Sequence, residues 1–297
     1  MNISTTHLER IHTLRPELAI ESARLCEEAL DNDVINVDGP DGAWIFRFAK
    51  TVDRQQRMAV EIRRLDQLHE RITLQVPRPI IRENDLMAYR RIEGEPLTAW
   101  LIASLDATGQ QRLANQLGAF LRVLHSTPAD EALDKNGPEA YCALAMRQLA
   151  EYRVRLYPHL MAFQREWIEL LFKDALRNVT FFEYTPALLH NDFKVDHILF
   201  DATQQRISGV IDFGWACYGD PSIDICNLLQ WYGETFVSRL CKTYPEMQSM
   251  MPRARFGAFL CELDWLLQGL EPGGLHWFFA NLATNRDIRF PIFSESR

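Results

Sequence analysis

The chain has 297 residues, 47% of them hydrophobic, and a formal net charge of −8. That is enough apolar material to bury a full core in one large domain or two lobes. A negative balance without clustered Lys and Arg excludes the electrostatic footprint of a nucleic-acid binder, and no apolar run reaches the roughly 18 residues that a membrane span needs. The opening Met1-Asn2-Ile3-Ser4-Thr5-Thr6-His7 lacks the basic-then-apolar order of a secretory signal, so the expected address is the cytoplasm. The six cysteines are scattered without any C-x-x-C pair, which indicates neither a zinc site nor a disulfide framework.

A helix is expected over about Pro16 to Leu30. A hairpin should follow, from Val34-Ile35-Asn36-Val37 through a turn at Asp38-Gly39-Pro40-Asp41-Gly42 to Ala43–Ala49. Its second strand alternates, with Trp44, Phe46 and Phe48 on one face and Ile45 and Arg47 on the other, the period of a half-buried strand. Residues 53 to 70 carry Met58, Ile62, Leu65 and Ile72 at helical spacing, and Pro77 and Pro79 lead into a strand at Leu86–Ile92. Gly94-Glu95-Pro96 breaks the pattern, which places a lobe boundary between 1–93 and 94–297.

Beyond it, Leu113, Leu117, Phe120, Leu121 and Leu124 mark an amphipathic helix over 110 to 125, stopped near Pro128, and another helix is expected over Arg165–Asn178. Two short apolar strands, Ile198-Leu199-Phe200 and Ser208-Gly209-Val210-Ile211, interrupt the helical run. Helices resume from Pro221, where Asp220 reads as an N-cap with Pro at the first helical position. The overall expectation is an α+β fold of two lobes, the first rich in strands and the second mainly helical.

The chemistry is expected in His190-Asn191-Asp192-Phe193-Lys194-Val195-Asp196-His197 and in Asp212-Phe213-Gly214. In an antiparallel hairpin the start of the first strand lies beside the end of the second, so His197 and Asp212 meet at one rim with Asp192 in the loop just before. Two carboxylates and an imidazole beside a basic residue on a strand suit phosphoryl transfer: one carboxylate orients the attacking hydroxyl and takes its proton, and the others hold Mg²⁺. Glu61 stands on the inward face of its helix with Met58 and Leu65, where a carboxylate is costly unless paired. His190 reads as structural, and Asp224 as a buried brace for the loop.

His190, Asp192 and Asp212-Phe213-Gly214 match the H-x-D and D-F-G signatures of eukaryotic-type kinases, with His197 where Asn is usual. More closely, the chain resembles the aminoglycoside phosphotransferase family. The resemblance rests on Trp44 to Phe48, Tyr89 to Leu97, Leu117-Gly118 with Leu124-His125, Leu189 to Leu199, and Gly219-Asp220-Pro221 with Asp224. The 2''-phosphotransferase branch is nearest, through His197 and Tyr232-Gly233-Glu234-Thr235-Phe236-Val237-Ser238.

This resemblance implies a protein-kinase-like fold that binds a nucleoside triphosphate, ATP or GTP, between its lobes and phosphorylates a small hydroxylated molecule. It implies Asp192 as base, His197 and Asp212 as metal ligands, and Tyr89, Arg91 and Ile92 at the purine hinge. Arg47 falls where the family has its phosphate-pairing Lys, braced by Glu61. Lys50 stays a rival to Arg47, because a planar guanidinium differs from a compact ammonium. The stretch Glu27 to Asp33 lacks the glycines that let amides wrap phosphates.

For a polycationic aminoglycoside the carboxylates left are Glu234, Glu262, Asp264 and Glu271, with Trp231, Trp265 and Trp277 as sugar platforms. A macrolide or another metabolite hydroxyl is the alternative acceptor, and a catalytically silent pseudokinase the alternative of another class.

Overall fold

The computed structural model describes residues 5–26, 32–69, 71–127, 138–178, 180–277 and 287–289. The expected hairpin, β2 (Asn32–Asp38) and β3 (Trp44–Ala49), is the centre of an antiparallel five-stranded sheet. The strands run in the order β1 (Ser22–Cys26), β2, β3, β5 (Leu86–Arg90), β4 (Ile81–Arg82). Trp44, Phe46 and Phe48 pack with Ile35, Val37, Leu86 and Ala88 against Ile11 of helix α1 (Thr5–Leu14). The other face carries Tyr89 and Met87, which meet Met58 of helix α2 (Val52–Leu68), with Ile45 alongside.

One expectation fails here. Residues 16 to 26 do not form a helix; α1 ends at Leu14, and Ser22–Cys26 pairs antiparallel with β2 in the register Ser22↔Asp38 to Cys26↔Val34. Helix-forming Ala, Glu and Leu gave way to an available sheet edge, where Ala23 and Leu25 reach the core while Arg24 faces solvent. Of the glycine-poor stretch, Asn32 and Asp33 belong to β2, and 27–31 lie outside the described residues.

Past β5 the chain crosses at β6 (Glu95–Pro96), which pairs with β8 (Ile198–Asp201) and so with β9 (Arg206–Val210). Gly94 (φ 148) makes this crossing possible, because a Cβ there would lie 2.5 Å from Ser208 Oγ and 3.0 Å from the Phe200 carbonyl. Short helix α3 (Ala99–Ser104) follows, and then α4 (Ala107–His125), capped by Asp106 on the Gly109 amide at 2.6 Å. Every apolar position expected on α4's inner face is buried. Pro128, its expected stop, lies outside the described residues.

Helices α5 (Pro138–Glu151) and α6 (Ala162–Arg177) build a second core with α8 (Met247–Gly269), in which Tyr152, Phe172, Phe181, Phe182 and Phe256 meet edge to face. Strands β7 (Ala187–Leu189) and β10 (Cys217–Gly219) pair with each other on either side of the segment that carries the site, and α7 (Ser222–Val237) follows. The expected N-cap, Asp220, accepts the Ser222 amide at 2.9 Å and is also held by Arg253 at 2.8 Å.

Helix α7 breaks at Gly233 (φ 74, ψ 165). The amides of Glu234 and Thr235 then find acceptors in Asp287, the first through its carbonyl and the second through its carboxylate at 2.7 Å. The result is a β-rich N-terminal part followed by a mainly helical one. No helix among the described residues is long and apolar enough to cross a membrane.

Candidate active site

β8 and β9 bring together what the sequence separates. In the register Ile198↔Val210, His197 and Asp212 flank the same end of the ribbon. Asp192, His197 and Asp212 each offer a ligand atom, all within 4.8 Å of one another. The separations are 3.4 Å from His197 Nε2 to Asp212 Oδ2 and 3.5 Å from His197 Nδ1 to Asp192 Oδ2.

The tautomer of His197 follows from its partners. Nδ1 lies 2.8 Å from the Asp192 carbonyl, which only accepts, so Nδ1 carries a proton and Nε2 faces Asp212. Nε2 stands 3.4 Å from the Asp212 carboxylate, and two carboxylates with one imidazole are donors that a divalent ion accepts. The residues therefore fit a metal.

His190 is wholly buried and fixes the loop rather than reacting. Its Nε2 donates to the Ile211 carbonyl at 2.9 Å and its Nδ1 accepts the Asp192 amide at 3.3 Å, while the ring stacks on Phe193 with centroids 4.4 Å apart. Burial pushes this imidazole down in pKa and keeps it neutral. Asp224, fully buried on α7, accepts the amides of His190 and Asn191 at 2.9 and 2.7 Å and faces His125 Nε2 at 3.1 Å. It is the brace expected of it. The loop also needs unusual backbone: Asn191 (φ 64) and Asp212 (φ 63) are both left-handed without being glycine.

From the sheet side, Arg47 reaches into the same place. Its Nη1 donates to Glu61 Oε1 at 2.7 Å and its Nη2 lies 3.6 Å from Asp212 Oδ1. Both partners of the Arg47–Glu61 pair are buried. Burial works against the Arg47 charge, but Glu61, Tyr89 and Asp212 hold its pKa above the ordinary value. Burial likewise pushes Glu61 up against the pull of Arg47, and raises the Tyr89 hydroxyl to about 12. Burial works against the Asp212 carboxylate, but Arg47 beside it and the Gly214 amide help to outweigh that and keep its carboxyl below the usual range. Lys50, the rival cation, is turned to Asp33 at 3.4 Å.

Where the hinge is expected, the Arg91 amide is committed to the Ala43 carbonyl at 3.0 Å, and its guanidinium to Asp38 and Glu93, each at 2.9 Å. Tyr89 turns its ring under the sheet with Met58 and Met87, and Ile92 lies half-buried against Gly209.

The carboxylates expected to be displayed to a cationic acceptor are instead engaged in part. Glu234 is buried and takes Arg255 Nη2 at 2.7 Å, Arg289 Nε at 3.1 Å and the Arg289 amide at 2.9 Å. Asp264 accepts the Tyr152 hydroxyl and Gln148 Nε2, and Glu271 pairs with Arg155. Glu262 and Trp265 are half-buried on α8, and Trp231 packs against the main core.

Lys194 escaped the sequence reading. Its Nζ stands 3.2 Å from Asp192 Oδ2, and the signal was its position two residues after that Asp.

The phosphotransferase enzyme family matches residues 22–256. The uncharacterized protein YcbJ of Bacillus subtilis (strain 168) is 25% identical over 246 residues, 76% of each chain. The viomycin phosphotransferase of Streptomyces vinaceus is 26% identical over 162 residues, 53% of this chain and 54% of that one. Among solved structures, the GDP complex of wild-type aminoglycoside 2'-phosphotransferase-IIIa superposes with a TM-score of 0.77 at 25% identity, covering 94% of this chain and 96% of the other. The bilobal α+β fold is thus the kinase-like fold of that enzyme, and the chain belongs to the phosphotransferase enzyme family.

Proposed function

We propose that this phosphotransferase moves the γ-phosphoryl group of ATP or GTP to a hydroxyl of an aminoglycoside-like small molecule. The observation that carries the reading is the convergence of Asp192, His197 and Asp212 within 4.8 Å, with the buried Arg47–Glu61 pair alongside.

In this reading Asp192 accepts a hydrogen bond from the acceptor hydroxyl and takes its proton as the new O–P bond forms. The bond from phosphorus to the β–γ bridging oxygen breaks, and its electron pair leaves with the nucleoside diphosphate. Lys194, whose Nζ is 3.2 Å from Asp192 Oδ2, offsets charge on the transferring group in this reading. Arg47, held rigid by Glu61, pairs with the phosphates. Asp212 and His197 are the residues that would hold Mg²⁺, which when bound supplies charge neutralisation for the phosphate oxygens.

Residues 1–93 act as the nucleotide lobe, with Tyr89, Arg91 and Ile92 along its hinge, and 94–297 as the catalytic and acceptor lobe. Glu262 and Trp265 are the acceptor contacts, with Glu234 and Asp264 shaping the wall behind. The protein works in the cytoplasm, where the donor nucleotide is.

Asp192→Ala abolishes transfer while leaving nucleotide affinity within about threefold; loss of both together makes Asp192 structural and sinks the role of base. Asp212→Ala removes the Mg²⁺ dependence of nucleotide binding. A macrolide or other less cationic hydroxyl is the second reading, favoured by the protein donors already on Glu234 and Asp264. Assay of purified enzyme against aminoglycoside and macrolide panels separates the two. Nucleotide hydrolysis with no drug modified ends both antibiotic readings.

A further inference from the structure

A cavity of about 680 Å³ opens on the helical lobe between α4 and the 3₁₀ turn Ser238–Lys242, and none of its walls belongs to the site described above. Gln111, Arg112, Asn115 and Gln116 line one side at helical spacing, and Arg239 and Lys242 the other. Three cationic residues therefore line one cavity, with no carboxylate among the lining residues, in a chain that has 40 acidic and 32 basic residues.

One of these cations is oriented by the fold. Arg112 donates from Nε to the Gln205 carbonyl at 3.1 Å and from Nη2 to Gln205 Oε1 at 3.4 Å, which fixes its guanidinium at the rim. Arg239 is half-buried in the opposite wall, its Nε covered by protein and without a hydrogen-bond partner among the described residues. The first turn of α4 contributes Ala107 and Thr108 to the wall. Gln111 Nε2 is tied to Asn115 and to the Arg239 carbonyl, at 2.8 and 3.1 Å, which holds the two walls in register.

We propose that this cavity binds a phosphorylated small molecule, its phosphate on Arg239, Lys242 and Arg112 and its body along the amide side chains of α4. Guanidinium forks match phosphate oxygens in pairs, and the volume exceeds what a bare phosphate fills. The site is separate from the nucleotide cleft, so its occupation is independent of the transfer chemistry proposed above.

The test is calorimetric titration of the full chain with ribose 5-phosphate in low salt and without divalent ions. Tricarballylate serves as a carboxylate control. The expected result is saturable one-to-one binding that Arg239→Gln and Lys242→Gln each weaken about tenfold, that Asp212→Asn leaves unchanged, and that tricarballylate does not reproduce. Lys242 is exposed, so Lys242→Gln carries the test if Arg239→Gln fails to fold. Absence of saturable binding, equal binding of tricarballylate, affinity unchanged by Lys242→Gln, or loss of binding in Asp212→Asn each overturns the proposal.

Discussion

His197 donates from Nδ1 to the backbone carbonyl of Asp192 at 2.8 Å, and faces Asp212 with Nε2 at 3.4 Å. One imidazole thereby couples the backbone of the candidate base to the side chain of the candidate metal ligand. His197→Ala removes both ends of that link and is expected to raise the Mg²⁺ concentration for half-maximal activity about tenfold or more. His197→Asn keeps a donor and an acceptor and loses less. Activity against Mg²⁺ concentration distinguishes them; equal behaviour of the two variants rejects the metal role.

Lys194 sits 3.2 Å from Asp192 Oδ2 with its side chain 40% exposed, so it is not needed for folding. Lys194→Met is expected to cut kcat about 10- to 100-fold while leaving Tm within about 2 °C. A kcat within twofold of wild type shows the contact to be incidental.

Arg47 and Glu61 form a buried pair at 2.7 Å, and removing one partner strands the other. Glu61→Gln or Arg47→Met alone is expected to cost about 3–5 kcal/mol of stability. Arg47→Met with Glu61→Leu should recover most of that loss without recovering activity. Chemical denaturation of the three variants measures the coupling, and additive losses contradict it.

The Arg10–Asp85 pair ties α1 to the sheet, with two bonds of 2.6 and 2.8 Å. Its hydrogen bond to Arg10 holds the Asp85 carboxyl below the usual range against partial burial. A depressed folded pKa contributes stability above the unfolded value, about 3.9, and loses it as pH falls through the lower folded value. Both side chains are more than a third exposed or nearly so, which limits the contribution to under about 1 kcal/mol. Asp85→Asn should therefore lower Tm slightly at pH 7 and leave it unchanged near pH 2.

The reactive half of the site was legible in the sequence because it depends on chain proximity. A two-stranded ribbon with a short polar turn brings His197 to Asp212 whatever else the fold does, and Asp192 is only five residues from His197. Glu61 was legible from helical period, on the inner face with Met58 and Leu65, whereas Arg47 was singled out only by the family resemblance, with Lys50 as its rival. The edge strand Ser22–Cys26 was not, since its residues favour a helix and only β2 makes it a strand. The fate of Glu234 was equally hidden, because its partners Arg255 and Arg289 lie 21 and 55 residues away.

The interruption of α7 at Gly233 ties the order of assembly to the order of synthesis. Asp287, which supplies acceptors to the Glu234 and Thr235 amides, leaves the ribosome more than fifty residues after them. Until it arrives, the restarted half of that helix has exposed donors and the Glu234 carboxylate lacks its contacts with Arg289. The final locking of the helical part is therefore a late event, and a chain stopped short of Asp287 should carry a sound β8–β9 ribbon beside an unfinished α7.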